Sequence, residues 1–210
     1  MAVDEALLET APNLGQPLLR FYSWAETAAT FGYSQKHADI RRATHLRPLI
    51  RRPTVGGLVP HDADWTYSLV FPRAHPWYAL NALESYRRLH EWLLAGFARV
   101  GVATELSPGT AKELVGRCFS GSERFDLLWR GQKIAGAAQR RGRVGLLIQG
   151  SVQPGHVAVA KADWQKAFCD AAHFDWHVTW QAFEMDPSLE SRVERLAREK
   201  YSQPAYNQRR

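Results

Sequence analysis

The 210-residue sequence has only two cysteines and no long apolar run. Two cysteines are too few for the disulfide framework of a small secreted protein, and free thiols are typical of a reducing compartment. No window of about eighteen apolar residues is present, which argues against a membrane-spanning helix. The N-terminus lacks the basic and apolar segments of a secretory signal. Histidine and cysteine spacings that bind zinc are also missing. These absences predict a cytoplasmic protein without a metal site.

The composition is that of a globular protein with an excess of positive charge. Hydrophobic residues make up 45% and charged residues 23%, so a core can form, and the formal net charge is +6. This charge favours an acidic partner, either a nucleic acid or an acidic carrier domain. No helix-turn-helix, zinc-finger or RNA-recognition signature accompanies the basic residues, many of which are typical of solvated turns. We therefore expect no nucleic-acid partner. The two basic clusters are Arg140, Arg141 and Arg143, and Arg41, Arg42, Arg47, Arg51 and Arg52.

The order of predicted elements indicates one α+β domain over residues 1–210. Helical periodicity covers residues 2–10, 75–100, 161–174 and 187–200, whereas strand composition is confined to the chain between residues 19 and 152. This order favours a β-sheet with helices packed on one face over a regular βαβ alternation. Residues 201–210 form a polar tail that we expect at the surface. Predicted strands cover residues 19–24, 30–33, 49–52, 65–72, 102–106, 125–129, 133–138 and 144–148.

The stretch from Cys118 to Ser151 contains the candidate chemistry. An apolar strand ends at Arg130-Gly131, a pair typical of a tight hairpin turn, and the next strand begins with Lys133 followed by small residues. Small residues in a strand indicate that something packs closely against the backbone, so Lys133 can direct a cation at a ligand. Cys118 precedes it by fifteen residues. The alternatives are a solvated lysine and a small buried cysteine, as we expect for Cys169 in its apolar helix.

Four stretches, taken together, resemble one family. MAVDEALLE resembles its first helix, and LRFYSWAETAATFGYSQ is similar to a strand pair that ends in a pocket glutamine. RRPTVGGLVPH resembles an Arg-Arg-x-x-Gly-Gly-Gly-x-Val-x-His signature, and CFSGSERFDLLWRGQKIAGAAQRR resembles the segment that carries a catalytic lysine. The family is that of lipoate–protein ligase A and the octanoyltransferases, within the biotin/lipoate protein ligase superfamily. LAREKYSQPAYNQRR also resembles its closing helix.

The resemblance implies a catalytic domain like those of class II synthetases, with a mixed β-sheet flanked by helices and no accessory C-terminal domain. It implies a channel for an eight-carbon acyl chain and attachment of octanoyl or lipoyl to a lysine of a lipoyl domain or a glycine-cleavage H-type carrier protein. Acyl carrier protein is a possible donor, and no membrane is involved. Lys133 would touch the reacting carbonyl, and Gly136 and Ala137 would form the pocket floor. The other implied substrate-binding residues are Gln35, Arg52, Gly56, Gly57, His61 and Gln149.

Cys118 distinguishes the branches of the family. Transferases use a cysteine as acyl carrier and need no cofactor, whereas ligases form an acyl-adenylate with ATP and Mg²⁺ and need no thiol. A nearby cation such as Lys133 would favour the reactive thiolate. The resemblance therefore favours a transferase, with a ligase and a non-catalytic acyl-binding protein as alternatives. Two positions depart from the family pattern: Val55 replaces the first glycine of the glycine run, and Gln149 replaces a frequent histidine.

Overall fold

The computed structural model describes residues 1–109, 111–112 and 121–209 and contains one large antiparallel β-sheet. Two of its long strands, Trp65–Pro72 and Gly145–Val152, consist mainly of apolar and small residues and are buried at every position. The hairpin turn predicted at Arg130-Gly131 is confirmed, because both residues have the positive φ angles, 51° and 74°, of such turns. In spatial order the strands are β1 (Leu18–Tyr22), β5 (Trp65–Pro72), β11 (Gly145–Val152), β10 (Gln132–Gly142), β9 (Leu127–Trp129) and β6 (Glu105–Leu106).

A smaller sheet lies beside it and is the part that makes the fold mixed. Its central strand β2 (Ala28–Phe31) pairs in parallel with β3 (Leu49–Arg51) and antiparallel with β4 (Val59–His61). Mixed pairing was expected of the sheet as a whole, but every pair in the large sheet is antiparallel. A two-stranded ladder joins β7 (Ala111–Lys112) to β8 (Gly121–Ser122).

Helices cover both faces of the large sheet, so the prediction of helices on one face is wrong. α1 (Ala2–Leu14) and α6 (Pro187–Leu196) pack on one face, and α4 (Ala82–Arg99) and α5 (Lys161–Trp176) pack on the other. The physical reason is that β5 and β11 are buried at every residue, with alternate side chains in the two cores. Both faces therefore need a covering layer.

Three local differences from the predicted elements have clear causes. The helix expected over residues 75–100 is divided into α3 (Pro76–Ala79) and α4, because the Asn81 side chain caps α4 by accepting the Glu84 N–H at 2.9 Å. A short helix, α2 (His37–Ala43), was not predicted, since Ile40 is its only buried residue. The predicted helix over residues 187–200 becomes a π-helix at its end, Ala197–Tyr201, before α7 (Pro204–Asn207).

The C-terminal tail lies at the surface as predicted, with Tyr201 the one buried residue among 201–209, but it is also attached to the body of the protein. Tyr201 is buried against α1, and the fully buried guanidinium of Arg51 donates to the carbonyls of Tyr206, Asn207 and Arg209. The same guanidinium donates to the carbonyl of Gln35 at 2.7 Å. The tail is thereby fixed to the loop that follows β2.

Two further properties concern the described residues as a whole. Within residues 1–109, 111–112 and 121–209, no helix is both long enough and apolar enough to cross a membrane. The same residues contain no group of three or more histidine, cysteine or acidic side chains able to hold a metal ion. Cys169 is half-buried rather than a core residue, and burial raises the pKa of its thiol to about 11.

Candidate active site

A cavity of about 610 Å³ lies between the large sheet and the loop that joins β3 to β4. Cys118 lies outside the described residues, but Gly121, three residues later in the sequence, lines this cavity. The predicted site residues that line it are Gln35, Arg52, Gly56, Gly57, His61, Lys133, Gly136, Ala137 and Gln149. Residues as far apart in the chain as Gln35 and Gln149 are thus brought to one cavity.

The floor of the cavity is a row of residues that crosses four strands. Tyr22 on β1 pairs with Thr66 on β5, Thr66 with Ser151 on β11, and Ser151 with Gly136 on β10. Directly paired residues point to the same face of a sheet, and adjacent strands are about 4.8 Å apart, so the row extends over about 14 Å. The row leads from β10, the strand that carries Lys133, to β1 at the edge of the sheet.

Lys133 lies at the β10 end of this row and is held by a buried carboxylate. Its Nζ is 2.7 Å from Oδ2 of Asp126, and the Asp126 side chain is fully buried. Gly136 leaves the space that the lysine side chain occupies: a Cβ at this position would come within 2.9 Å of Cε and 3.0 Å of Nζ. The small residue predicted to let a ligand approach also makes room for Lys133 itself.

Asp126 receives hydrogen bonds from three sides. The Tyr86 hydroxyl on α4 donates to it, the backbone N–H of Glu123 donates at 2.6 Å, and Lys133 contributes its ammonium. Burial, followed by the charge of Asp126, raises the pKa of Tyr86 well above its ordinary value, so Tyr86 remains a neutral donor. The carboxylate is therefore fixed in place and in turn fixes the ammonium.

Arg52 is the second cation that lines the cavity; it is buried, and its hydrogen-bond partners are neutral. Its guanidinium donates to Oγ1 of Thr30 at 2.9 Å and to the carbonyls of Val55 and Gly57 at 3.1 and 2.8 Å. No carboxylate within the described part of the chain forms an ion pair with it. Burial lowers the pKa of Arg52 to about 10, which still leaves it charged near neutral pH. Such a cation can bind an anionic or carbonyl group in the cavity.

His61 is oriented by a carboxylate that sequence reasoning did not identify. Its Nδ1 is 2.8 Å from Oδ2 of Asp64, and its Nε2 is 2.8 Å from Oγ1 of Thr30. The ring of Trp24 stacks on the imidazole at 4.1 Å between centroids. Asp64 also accepts a hydrogen bond from the hydroxyl of Ser151. His61 thus joins the floor of the cavity to Arg52 through Thr30.

The two departures from the family pattern have structural explanations. The Gln149 side chain accepts the Thr54 hydroxyl at 2.8 Å and donates to Oδ2 of the fully buried Asp4 at 2.6 Å, so its amide satisfies both. Val55 is 53% exposed and is not one of the residues with positive φ, whereas Gly56 has φ of 94°. The loop therefore needs its glycine at position 56 and accepts valine at position 55.

Sequence reasoning missed the buried acids and the tyrosine that support the site. Asp126 interrupts the apolar stretch from Phe125 to Trp129, and a lone carboxylate in a buried strand segment is a usable signal for a paired cation. Asp64 lies three residues after His61, a spacing that permits a local pair. Tyr86 gave no such signal, since it is one of several apolar positions along a helix.

The family model of the lipoyl protein ligase A/B catalytic domain matches residues 1–153, nearly three quarters of the chain and all but the C-terminal helices. The chain belongs to this family. The predicted resemblance is thereby confirmed, and the cavity lined by Lys133 and Arg52 lies wholly within the matched residues.

Curated relatives share about one third of their residues with the chain. It is 36% identical over 174 residues to the octanoyltransferase LipM of Carboxydothermus hydrogenoformans, covering 80% of this chain and 62% of the relative. It is also 36% identical over 166 residues to that of Staphylococcus aureus, covering 72% and 60%. The aligned part of the chain thus spans about three fifths of the length of these relatives.

Solved structures share the fold at lower sequence identity. A lipoate–protein ligase A bound with ATP superposes with a TM-score of 0.79 at 20% identity, covering 99% of this chain and 92% of that one. A bipartite lipoate protein ligase from Thermoplasma acidophilum gives 0.76 at 18% identity, covering 99% and 89%. The predicted α+β fold of lipoate ligase catalytic domains is confirmed.

Proposed function

We propose that the chain is an acyltransferase that attaches an octanoyl group to a lysine of a lipoyl carrier domain through an acyl-enzyme at Cys118. The observation that carries the proposal is the cavity in which Lys133 and the predicted binding residues meet. The octanoyltransferase name of the relatives supports the reaction type. Residues 1–210 would act as one catalytic domain.

The proposed reaction has two acyl transfers. In the first, the Cys118 thiolate attacks the carbonyl carbon of an octanoyl thioester, a new carbon–sulfur bond forms, the carbon–sulfur bond to the donor breaks, and the donor leaves as a thiolate that takes a proton from water. In the second, a lysine amine of the lipoyl domain attacks the Cys118 thioester, an amide forms, and Cys118 is regenerated. The positioned Lys133 ammonium stabilises the oxyanion of each tetrahedral intermediate. One site can thus accept two protein substrates in turn.

The cavity floor suits an extended alkyl chain. With the carbonyl at Lys133, the chain would lie over Gly136, Ser151 and Thr66 toward Tyr22, a distance of about 14 Å across the strands. The hydroxyls of Ser151 and Thr66 already donate to Asp64, so they need no partner on the substrate. Each methylene that leaves water contributes about 0.8 kcal/mol. Burial of the chain therefore supplies affinity without polar recognition.

A lipoate–protein ligase is the second candidate, and Arg52 is the observation that favours it. A buried guanidinium whose hydrogen-bond partners are neutral would suit the free carboxylate or the acyl phosphate of an adenylate. This reading requires ATP with Mg²⁺ and assigns no role to Cys118. The acceptor would be the same, a lipoyl domain or an H-type carrier protein.

Intact-mass spectrometry after mixing the protein with octanoyl acyl carrier protein tests the proposal. We expect an octanoyl adduct without ATP that hydroxylamine removes, that is lost in Cys118→Ser and that persists in Cys169→Ser. Addition of an apo lipoyl domain should discharge the adduct and leave the lipoyl domain heavier by one octanoyl group. Full transfer by Cys118→Ser, or transfer of free lipoate that requires ATP, would assign the ligase reaction instead.

A further inference from the structure

The edge of the cavity formed by α2 and the loop after it is positively charged and open to solvent. We define the α2 rim as Lys36, Arg41, Arg42 and Arg47, all of which are exposed. Within residues 36–47 the sequence has one acidic residue, Asp39. The Arg42 side chain is 78% exposed and also lines the cavity, so this residue lies at the mouth. A protein that brings a lysine or a thioester to the cavity therefore comes close to this edge.

Among the described residues, one ion pair offsets the positive charge of the α2 rim. Asp39 pairs with Arg42 at 2.6 Å, but both side chains are more than half exposed, and such a pair contributes little. The pKa of His37 on the same helix is lowered, first by burial and then by the charges of Arg41, Arg51 and Arg47. A histidine on this helix therefore experiences a net positive field, which attracts an acidic surface.

The rest of the mouth is different in charge. Among the described residues, the exposed ones that line the cavity away from α2 include no further cation: they are glycines at positions 56, 57 and 121, and Glu123. Within the described part of the chain, the positive charge at the opening is thus concentrated on the α2 side, where an approaching acidic domain is attracted. This asymmetry orients the partner as well as attracting it.

We propose that the α2 rim is the docking surface for the acidic carrier domain that presents the acceptor lysine. The proposal rests on the proposed acyl transfer, since it assigns a partner to that same site. A nucleic acid is the less favoured partner, because the charged surface borders a cavity rather than forming a continuous stripe. The contact is electrostatic, so it acts on encounter and orientation and not on the chemistry at Lys133.

A pair of charge reversals with a matched control tests the proposal. The test variant is Lys36→Glu/Arg41→Glu, two exposed residues that do not line the cavity. The control is Arg73→Glu/Arg143→Glu, two exposed residues beside the ends of β5 and β11, where Pro72 pairs with Gly145. Both variants change the net charge equally. The control pair lies at the end of these strands opposite to the Thr66–Ser151 floor.

Three measurements use the full-length chain: formation of the acyl-enzyme from the neutral thioester octanoyl-N-acetylcysteamine, transfer to an acidic lipoyl domain, and direct binding of that domain. In the test variant we expect the KM and Kd for the lipoyl domain to rise about tenfold at low salt, with the difference shrinking to about twofold at high salt. Acyl-enzyme formation and the Tm should stay at wild-type values. The control variant should resemble the wild type throughout.

Other outcomes separate the proposal from the function on which it rests. The docking surface would be overturned if both variants had the same effect on the KM and Kd for the lipoyl domain. It would also be overturned if the test variant lost acyl-enzyme formation to the same extent as transfer to the lipoyl domain. If the wild-type protein binds duplex DNA but not the lipoyl domain, and the test variant loses this DNA binding, the α2 rim is a nucleic-acid site. That outcome would overturn the proposed docking surface as well. If the lipoyl domain binds through the α2 rim but receives no acyl group, the docking surface stands and the transferase reaction fails.

Discussion

Lys133 and Arg52 both line the cavity and are positively charged, but their side chains are held by opposite kinds of partner. Lys133 lies beside a fully buried carboxylate that is itself fixed by a tyrosine and a backbone N–H. Arg52 is bound by a hydroxyl and two carbonyls, all neutral. A carboxylate holds the lysine in one position but offsets part of its field, whereas neutral partners leave the arginine's charge available. For the proposed transfer, the comparison predicts that Lys133 contacts the transition state and that Arg52 binds the ground state.

Truncation of the two cations should separate these roles, with the largest effect at Lys133. We expect Lys133→Ala to lower kcat about 10²–10³-fold with little change in KM, since an oxyanion contact is made only in the transition state. Arg52→Met should instead raise KM for the acyl donor about tenfold. Steady-state kinetics with octanoyl acyl carrier protein measures both. The assignment is wrong if the two variants show the same division between kcat and KM.

Removal of the carboxylate that holds Lys133 should have the next largest effect. Asp126→Asn keeps the shape but loses the ion pair, and we expect kcat to fall about tenfold, equivalent to roughly 1.4 kcal/mol of barrier. Tyr86→Phe removes one donor to the same carboxylate and should cost less. The rate of acyl-enzyme formation in a single turnover reports this step. Wild-type rates in Asp126→Asn would show that Lys133 needs no support from this side.

A side chain at position 136 that crowds Lys133 should have a smaller effect on kcat. A Cβ in Gly136→Ala would lie 2.9 Å from Cε of Lys133, so the flexible side chain must shift, and we expect kcat to fall about fivefold. Gly142→Ala on the same strand is a matched control, because a Cβ there has no atom within 4 Å and the residue does not line the cavity. Similar rates for the two alanine variants would mean that the position of Lys133 is not limiting.

Restoration of the glycine run beside Arg52 should have the smallest effect. Val55→Gly should leave turnover within about twofold of wild type, since Arg52 binds the carbonyl of this residue and not its side chain. The added backbone freedom of glycine should lower the free energy of unfolding by about 0.5–1 kcal/mol. Thermal or urea unfolding measures this loss. A marked gain in activity would instead show that Val55 restricts the loop.

The sequence predicted the parts of the fold and site that depend on local pattern. The strand over residues 65–72 and the turn at Arg130-Gly131 follow from apolar runs and turn residues, and both lie where they were expected. The break before α4 was also locally encoded, since Asn81 and Glu84 have the spacing of a helix N-terminal cap, but the longer amphipathic pattern masked it. Family resemblance supplied the residues that line the cavity.

The remaining features depend on partners that are distant in the sequence. Gln149 reaches Asp4 across 145 residues, and Tyr86 reaches Asp126 across 40. Neither pairing changes a local periodicity, because each polar atom is satisfied only after the sheet and helices have packed. The cover of both sheet faces was missed for the same reason. Total burial of β5 becomes visible only once α1 is placed against it.

The Arg51 clamp makes the order of synthesis relevant to the cavity. Its guanidinium joins the carbonyl of Gln35, on the cavity wall, to the carbonyls of Tyr206, Asn207 and Arg209. A ribosome releases these partners more than 150 residues after Arg51 itself. The N-terminal half can form its strands during translation. The wall at Gln35, however, can be joined to the tail only after residues 206–209 have emerged, so a translation product that stops before them lacks this clamp.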